Sequence, residues 1–123
     1  MSTSNIAMFE HAYRVFVETG DLDTFFDMLA PEVEWRAWND EGNCHNRDEV
    51  MDVIRAALDR GVAVELPEFI DAGDKLVMIL RKTPPFFPPE AEGLFQVLEI
   101  RDGKIVAMRD FIRRKDALAA AGM

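Results

Sequence analysis

The sequence predicts an α+β fold in which an antiparallel sheet carries a layer of helices on one face. Apolar residues recur at three- and four-residue spacing early in the chain, which is typical of amphipathic helices. Apolar and polar residues alternate in the last third, which is typical of strands. The predicted order is helix, helix, strand, helix and then four strands. A length of 123 residues fits a single domain over residues 1–123.

Two short helices are predicted at the start of the chain. The first carries an apolar stripe and ends at Gly20; the stripe consists of Ile6, Phe9, Tyr13, Phe16 and Val17. Asp21 begins the second helix because its side chain can accept from the exposed amides of the next turn, and Pro31 stops it. The buried face of this helix is predicted to consist of Leu22, Phe25, Phe26 and Leu29.

A strand and a third helix follow. Residues 33–38 alternate with the period of a strand, so that Trp35 faces one side and Trp38 the other. After a polar loop, Asn46 and Glu49 resemble a capping box for a helix that ends at Gly61. Its inward positions are predicted to be Val50, Ile54, Ala57 and Leu58, with Met51 as a further candidate.

The middle of the chain is predicted to hold two strands and an unusual loop. Residues 62–70 read as an edge or bulged strand because Pro67 lacks a ladder donor. After a turn at residues 71–74, the continuous apolar run 76–80 predicts a strand covered on both faces. Residues 83–89 hold four prolines and two phenylalanines. This segment reads as a rigid loop that caps the core, as an aromatic rim over a cavity mouth, or as a dimer contact.

The last two strands contain the strongest functional signal. Residues 94–100 and 105–112 are joined by the tight turn Asp102-Gly103, and a short helix or frayed tail follows from residue 113. The two-residue period of a strand places Asp110 on the same face as Val106, Met108 and Ile112. A carboxylate on an apolar face is costly unless it is paired, hydrated or used in chemistry.

Composition excludes several classes of partner. The net charge is −9, and residues 1–61 hold 13 acids against 5 bases, so nucleic acid is not expected as a partner. No apolar run approaches the length of a membrane span, and the first residues do not resemble a signal peptide, so a cytoplasmic location is expected. Cys44 and His45 are adjacent, but no third ligand has suitable spacing. The sequence therefore predicts neither a metal site nor a cofactor.

The order and spacing of three segments resemble the SnoaL-like group of the nuclear transport factor two and ketosteroid isomerase superfamily. These segments are residues 20–23 (GDLD), 30–35 (APEVEW) and 102–105 (DGKI). The resemblance implies a cone-shaped fold whose strongly bent, mixed and mostly antiparallel sheet wraps the N-terminal helices and leaves a deep pocket open at one end. It also implies a homodimer formed through the sheet, for which Trp38 is a candidate contact.

The resemblance also suggests site residues. Asp110 falls at the acid that handles a proton in polyketide cyclases and limonene-type epoxide hydrolases. Tyr13 is similar to the tyrosine that donates to the substrate oxygen in ketosteroid isomerase. Trp35 stands where that isomerase has its base, and Gln96 where it has a donating acid, which disfavours isomerase activity of that type. Arg81 matches an arginine of the epoxide hydrolases, but Thr83 replaces their acid, which disfavours epoxide opening.

Two interpretations of Asp110 stay open: a buried carboxylate paired with a base such as Arg81, or a pocket acid with a raised pKa. Tyr13 is either a core residue with a satisfied hydroxyl or a ligand donor. His45 precedes the third helix, near the pocket mouth that the family implies, and could contact a ligand. The interior is predicted to be lined or filled by Phe16, Trp35, Met51, Ile54, Met78, Leu98 and Met108.

Two functions follow. In the first, a small and mostly apolar organic molecule binds in the pocket, and Asp110 carries out cofactor-free proton transfer of the isomerase, cyclase or hydrolase type, with Tyr13 and Gln96 as orienting partners. In the second, the protein is a noncatalytic dimeric module that stores a ligand or has a filled pocket. An open cavity of roughly 300 Å³ bordered by Asp110 would favour the first.

Overall fold

The described part of the chain forms four helices and five strands. A computed structural model describes residues 2–38, 43–60, 67–80 and 88–123. The helices are α1 (Ser2–Thr19), α2 (Asp23–Met28), α3 (Arg47–Asp59) and α4 (Arg114–Ala120). The strands are β1 (Leu29–Arg36), β2 (Glu68–Asp71), β3 (Lys75–Leu80), β4 (Leu94–Arg101) and β5 (Lys104–Phe111). Their order along the chain confirms the predicted order of elements.

The five strands form one mixed sheet in the order β1-β5-β4-β3-β2. The β1–β5 pair is parallel, and the other three pairs are antiparallel. Within the described residues the sheet does not close, and β1 and β2 form its edges. The predicted α+β class and the mixed, mostly antiparallel sheet are confirmed.

The two faces of the sheet are covered by different helices. Helices α1, α2 and α3 pack with one face, here called the inner face, around residues such as Leu76, Leu98 and Met108. Helix α4 packs on the outer face, where Ala117 is buried against Val77 and its neighbours. The C-terminal segment is therefore a helix that buries part of the outer face.

Local signals in the sequence set several element ends. Gly20 follows α1 with φ +75°, and its N–H donates to the carbonyl of Phe16. At the start of α3, Asn46 Oδ1 accepts from the backbone N–H of Glu49 at 2.9 Å. Glu49 Oε1 in turn accepts from the N–H of His45 at 2.7 Å. The predicted helix start at Asn46 is confirmed, although the glutamate reaches one residue further back than in a standard capping box.

The β4–β5 hairpin confirms the predicted turn and corrects the predicted parity. Asp102 and Gly103 both have positive φ, +53° and +76°, as a two-residue turn of this kind requires. Ile100 lies opposite Ile105, but Glu99 lies opposite Ala107, so the register shifts at Val106. Because of this bulge Ile105 is a buried core residue and Val106 is half-buried. The prediction of unbroken parity from Val106 to Asp110 is wrong.

Three boundary predictions near the N-terminus are also wrong. Val17 is 47% exposed, because the core covers α1 along a narrower stripe centred on Phe9 and Ala12. Leu29 belongs to β1 rather than α2, and it is fully buried opposite Ile105. Pro31 lies within β1 rather than ending a helix. An edge strand with a register shift tolerates it there, because proline costs little where no ladder donor is needed.

The predicted turn before β3 is confirmed, and Gly73 N–H donates to Asp71 Oδ1 at 2.9 Å. The strand β3 is buried on both faces, as predicted. Of the predicted strand 62–70, the structure describes the part from Pro67 onward. Gly61, Arg81 and the loop segment 83–87 lie outside the described residues. None of the described helices combines the length and apolar character that crossing a membrane requires.

Candidate functional site

A cavity of about 190 Å³ lies between the N-terminal helices, α3 and the inner face of the sheet. Its walls are mostly apolar, because inward positions of seven elements, α1, α2, α3, β1, β3, β4 and β5, converge there. The described lining residues are Ala12, Tyr13, Phe16, Leu22, Phe25, Trp35, Val53, Ile54, Ala57, Leu58, Met78, Leu80, Leu94, Gln96 and Met108. The partly exposed Val53 indicates that the cavity reaches the surface beside α3.

Tyr13 contributes the hydroxyl of the cavity wall. Its position on α1, one turn after the buried Phe9, directs the ring against Phe25, with 5.8 Å between the ring centroids in an edge-on arrangement. Burial, and secondarily the charge of Asp110, raises the pKa of Tyr13 above its ordinary value. The phenol therefore stays protonated at physiological pH and can donate a hydrogen bond.

Asp110 and Trp35 are joined by a hydrogen bond across the parallel β1–β5 pair. Trp35 lies opposite Met108, two residues before Asp110, and its indole Nε1–H donates to Asp110 Oδ1 at 2.9 Å. Gln96 lies directly opposite Asp110 in the β4–β5 pair, and both side chains are buried. The strand register therefore brings two neutral polar groups to one buried carboxyl.

The pKa of Asp110 is raised from its ordinary value to about 7, because burial disfavours the charged form. The hydrogen bond from Trp35 and the polar amide of the facing Gln96 favour the charged form and oppose part of this rise in pKa. Near neutral pH both protonation states of Asp110 are populated. Such a group suits general acid or base chemistry.

The cavity does not border Asp110 directly. Asp110 is absent from the described lining residues, whereas its two partners, Trp35 and Gln96, line the wall. The volume of about 190 Å³ is also below the roughly 300 Å³ at which drug-sized pockets begin. An open cavity of roughly 300 Å³ bordered by Asp110 would have favoured ligand binding with proton transfer by Asp110, and the described residues do not form such a cavity.

The other candidate residues fall into three groups. Phe16, Ile54 and Met108 line the cavity, together with Tyr13, Trp35 and Gln96. His45 is exposed and does not line it; its backbone N–H belongs to the start of α3. Arg81 lies outside the described residues.

Sequence reasoning missed the bond between Trp35 and Asp110. It placed Trp35 on the interior face but gave it no polar role. The two residues are 75 positions apart, and no local pattern indicates which strand lies beside β5. The cavity-lining role of Leu80 and Leu94 was also missed, because their place on the inner face depends on the register of β3 and β4.

No metal centre is formed by the described part of the chain, where no three His, Cys, Asp or Glu side chains are grouped to hold an ion. Cys44 is buried, and its backbone forms an isolated antiparallel β-bridge with the backbone of Trp35. Burial, followed by nearby acids, raises the pKa of the Cys44 thiol. A protonated thiol is a poor nucleophile and a poor metal ligand.

Comparison with known families gives one match, the SnoaL-like domain, over residues 9–108. This range includes Tyr13, Trp35, Gln96 and Met108 and ends two residues before Asp110. No curated protein matches the sequence.

Several solved structures share the fold. An NTF2-like protein of unknown function from Burkholderia pseudomallei is 20% identical, with 97% of this chain and 98% of that chain covered and a TM-score of 0.64. TerC, co-crystallized with polyporic acid, is 21% identical with the same coverage and TM-score. A proposed polyketide cyclase from Sinorhizobium meliloti is 18% identical, with coverages of 89% and 98% and a TM-score of 0.60. At these identities the likeness shows the fold alone.

Proposed function

The chain belongs to the SnoaL-like domain family, and from this premise we propose that it binds a small, mostly apolar organic molecule in the cavity between α1, α3 and the sheet. One observation carries the proposal: the cavity is almost wholly apolar but holds three polar side chains, those of Tyr13, Trp35 and Gln96. An apolar pocket with a few convergent polar groups is typical of small-molecule sites. TerC was co-crystallized with polyporic acid, and a polyketide cyclase is named from Sinorhizobium meliloti, so proteins of this fold are associated with small organic molecules.

The proposal extends to cofactor-free proton transfer by Asp110. Its pKa of about 7 lets the carboxyl take up and return a proton near neutral pH. Contact with a ligand requires a shift of Trp35 or Gln96, the two residues through which Asp110 borders the cavity. Tyr13 and Gln96 would orient the ligand oxygen. The reaction class is isomerisation, cyclisation or water addition.

A second candidate is a noncatalytic binding module. It is favoured by the position of Asp110, whose carboxylate is engaged by Trp35 and does not line the cavity. In this role Asp110 fixes the indole as part of the wall, and the ligand is held without reaction.

Binding is tested with the fluorescence of Trp35. The chain has two tryptophans, so Trp38→Phe leaves Trp35 as the single reporter on the cavity wall. Titration with a panel of apolar ketones, lactones and phenols is expected to change this emission and to raise the melting temperature, because a ligand that binds only the native state stabilises it.

A matched pair of substitutions locates the site. Ala57→Leu fills part of the cavity and should abolish both signals, whereas Ala7→Leu, at an exposed position of α1, should leave them unchanged. Equal responses from the two variants, or no response from any compound, would contradict binding in this cavity.

Catalysis is tested separately with a bound compound. If Asp110→Asn retains binding but exchanges or converts the ligand at least a hundredfold more slowly, Asp110 acts on the proton. If the natural protein converts no bound compound and catalyses no hydrogen exchange with solvent, the binding module is correct.

Dimerisation through the sheet and a cytoplasmic location stay predictions. Helix α4 occupies part of the outer face, so a sheet dimer would use the area beside it. Light scattering on the purified protein measures the oligomeric state.

A further inference from the structure

We infer that the ligand is a neutral molecule of about one ring that carries one oxygen atom able to accept a hydrogen bond. This inference rests on the proposed function, because it concerns the same cavity. Three properties of the cavity carry it: its volume, the absence of charge on its described wall, and the free hydroxyl of Tyr13.

The volume sets the size of the ligand. The cavity measures about 190 Å³. An apolar cavity of about 150 Å³ in another protein holds benzene, whereas drug-sized ligands occupy roughly 300 Å³ or more. A six-membered ring with one or two small substituents therefore fits. A fused bicyclic compound would extend beyond the cavity toward its opening beside α3 and would bury a smaller share of its surface.

The described wall of the cavity offers no charged partner to an ionic ligand. Every described lining residue is uncharged. A bound anion would lose its hydration without gaining a cation from these residues, and it would lie near the Asp110 carboxyl. A cation would find that carboxyl already bonded to Trp35 and separated from the cavity by its partners. Among the described residues, Tyr13 and Cys44 are the titratable groups that interact with the charge of Asp110, and burial raises the pKa of both.

The polar groups of the wall select an oxygen acceptor. The indole N–H of Trp35 is used by Asp110. The hydroxyl of Tyr13 makes no hydrogen bond to another described residue, and its ring is held by Phe25 and Phe69. A carbonyl or hydroxyl oxygen of the ligand supplies the missing acceptor. The Gln96 amide has two N–H groups and a carbonyl, so it can make a second contact with the same oxygen.

Four probes of matched shape test the inference by calorimetry and thermal shift on the full chain: methylcyclohexanone, methylcyclohexane, cyclohexanecarboxylate and decalone. We expect methylcyclohexanone to bind and to raise the melting temperature by about 5 °C at ten times its dissociation constant. Methylcyclohexane should bind about fivefold more weakly, because the hydrogen bond to Tyr13 is lost. The carboxylate and decalone should not bind at the same concentrations.

Tyr13→Phe separates the hydrogen bond from general effects on the fold. The substitution should lower the affinity for methylcyclohexanone about fivefold and leave the affinity for methylcyclohexane unchanged. Equal losses for both probes would overturn the role of the Tyr13 hydroxyl.

The remaining outcomes separate this inference from the proposed function. If decalone or larger compounds bind and methylcyclohexanone does not, the ring-sized ligand is wrong while binding in the cavity stands. If the carboxylate binds as tightly as the ketone, the neutral ligand is wrong. If neither these probes nor the wider panel binds, both the inference and the proposed function fail.

Discussion

The indole N–H of Trp35 donates to the carboxylate of Asp110 over 2.9 Å, between two parallel strands that are 75 residues apart at this point. The bond connects a group that lines the cavity to a titratable group that does not. A change in the protonation of Asp110 therefore changes the strength with which one wall of the cavity is held. Three predictions concern this bond and the hairpin that carries Asp110.

Asp110→Asn should remove a pH dependence of stability. The pKa of Asp110 is raised in the folded protein to about 7 from an ordinary value of 3.8, so the folded state binds the proton more tightly than the unfolded state. The stabilisation by the protonated carboxyl is complete below pH ~4 and is lost as the pH rises through ~7. Between pH ~5 and pH ~8, the free energy of unfolding of the variant should therefore rise by about 2 to 3 kcal/mol relative to that of the natural protein.

Urea denaturation at both pH values measures this gain. Asp59→Asn, at an exposed position near the end of α3, is the matched control for the removal of a carboxylate. The difference in the free energy of unfolding between Asp110→Asn and the natural protein could instead stay constant with pH. That result would show that Asp110 has the same pKa in the folded and the unfolded state.

Trp35→Phe should raise the pKa of Asp110 above about 7, because the bond from the indole favours the charged carboxylate. The variant should lose about 1.5 to 3 kcal/mol of stability at alkaline pH, where the lost bond is made to a charged group, and less at pH ~5. Carbon NMR of the Asp110 carboxyl gives the pKa directly.

Trp38→Phe is the control for the loss of an indole, since Trp38 is not among the causes of the shifted pKa of Asp110. It should leave that pKa in place. An unchanged pKa in Trp35→Phe would mean that the indole does not act on the carboxyl.

Gly103→Ala should destabilise the protein by about 1 kcal/mol, because Gly103 has φ +76° and an L side chain is strained there. A Cβ at this position would meet no other atom within 4 Å, so the loss comes from the backbone alone. Thermal denaturation measures the difference in stability.

Asp102→Gly tests the same turn in the opposite direction. Asp102 also has positive φ, +53°, and glycine would relieve its strain while adding freedom to the unfolded chain, so a change within about 0.5 kcal/mol is expected. A loss from Gly103→Ala that is no larger than that from Asp102→Gly would contradict the proposed strain.

Local chemistry explains why parts of the fold could be predicted. Asn46 and Glu49 act on neighbouring backbone groups, so the start of α3 could be read from four residues. The pair Asp102-Gly103 determines its turn in the same way. The register shift at Val106 could not be predicted from the sequence. A bulge depends on how two strands pair, and it does not change the alternation of apolar and polar residues within one strand.

The candidate site was predictable only in part. The apolar alternation of β5 placed Asp110 on the inner face, where burial raises its pKa, and Trp35 was placed on the interior by the same reasoning. The volume of the cavity and the separation of Asp110 from it depend on side chains from seven elements. The distances between these elements cannot be read from the periodicity of the sequence.

The sequence by itself determined the helices, the strands and the polar residues that each presents to the interior, because these depend on contacts between near neighbours in the chain. Only the tertiary structure decided that the carboxyl of Asp110 is bonded to Trp35 and that Tyr13 lies on the cavity wall. The physical reason is that hydrogen bonds and cavities form between surfaces brought together by packing. Their geometry is fixed by the register of β1 against β5 and of β4 against β5.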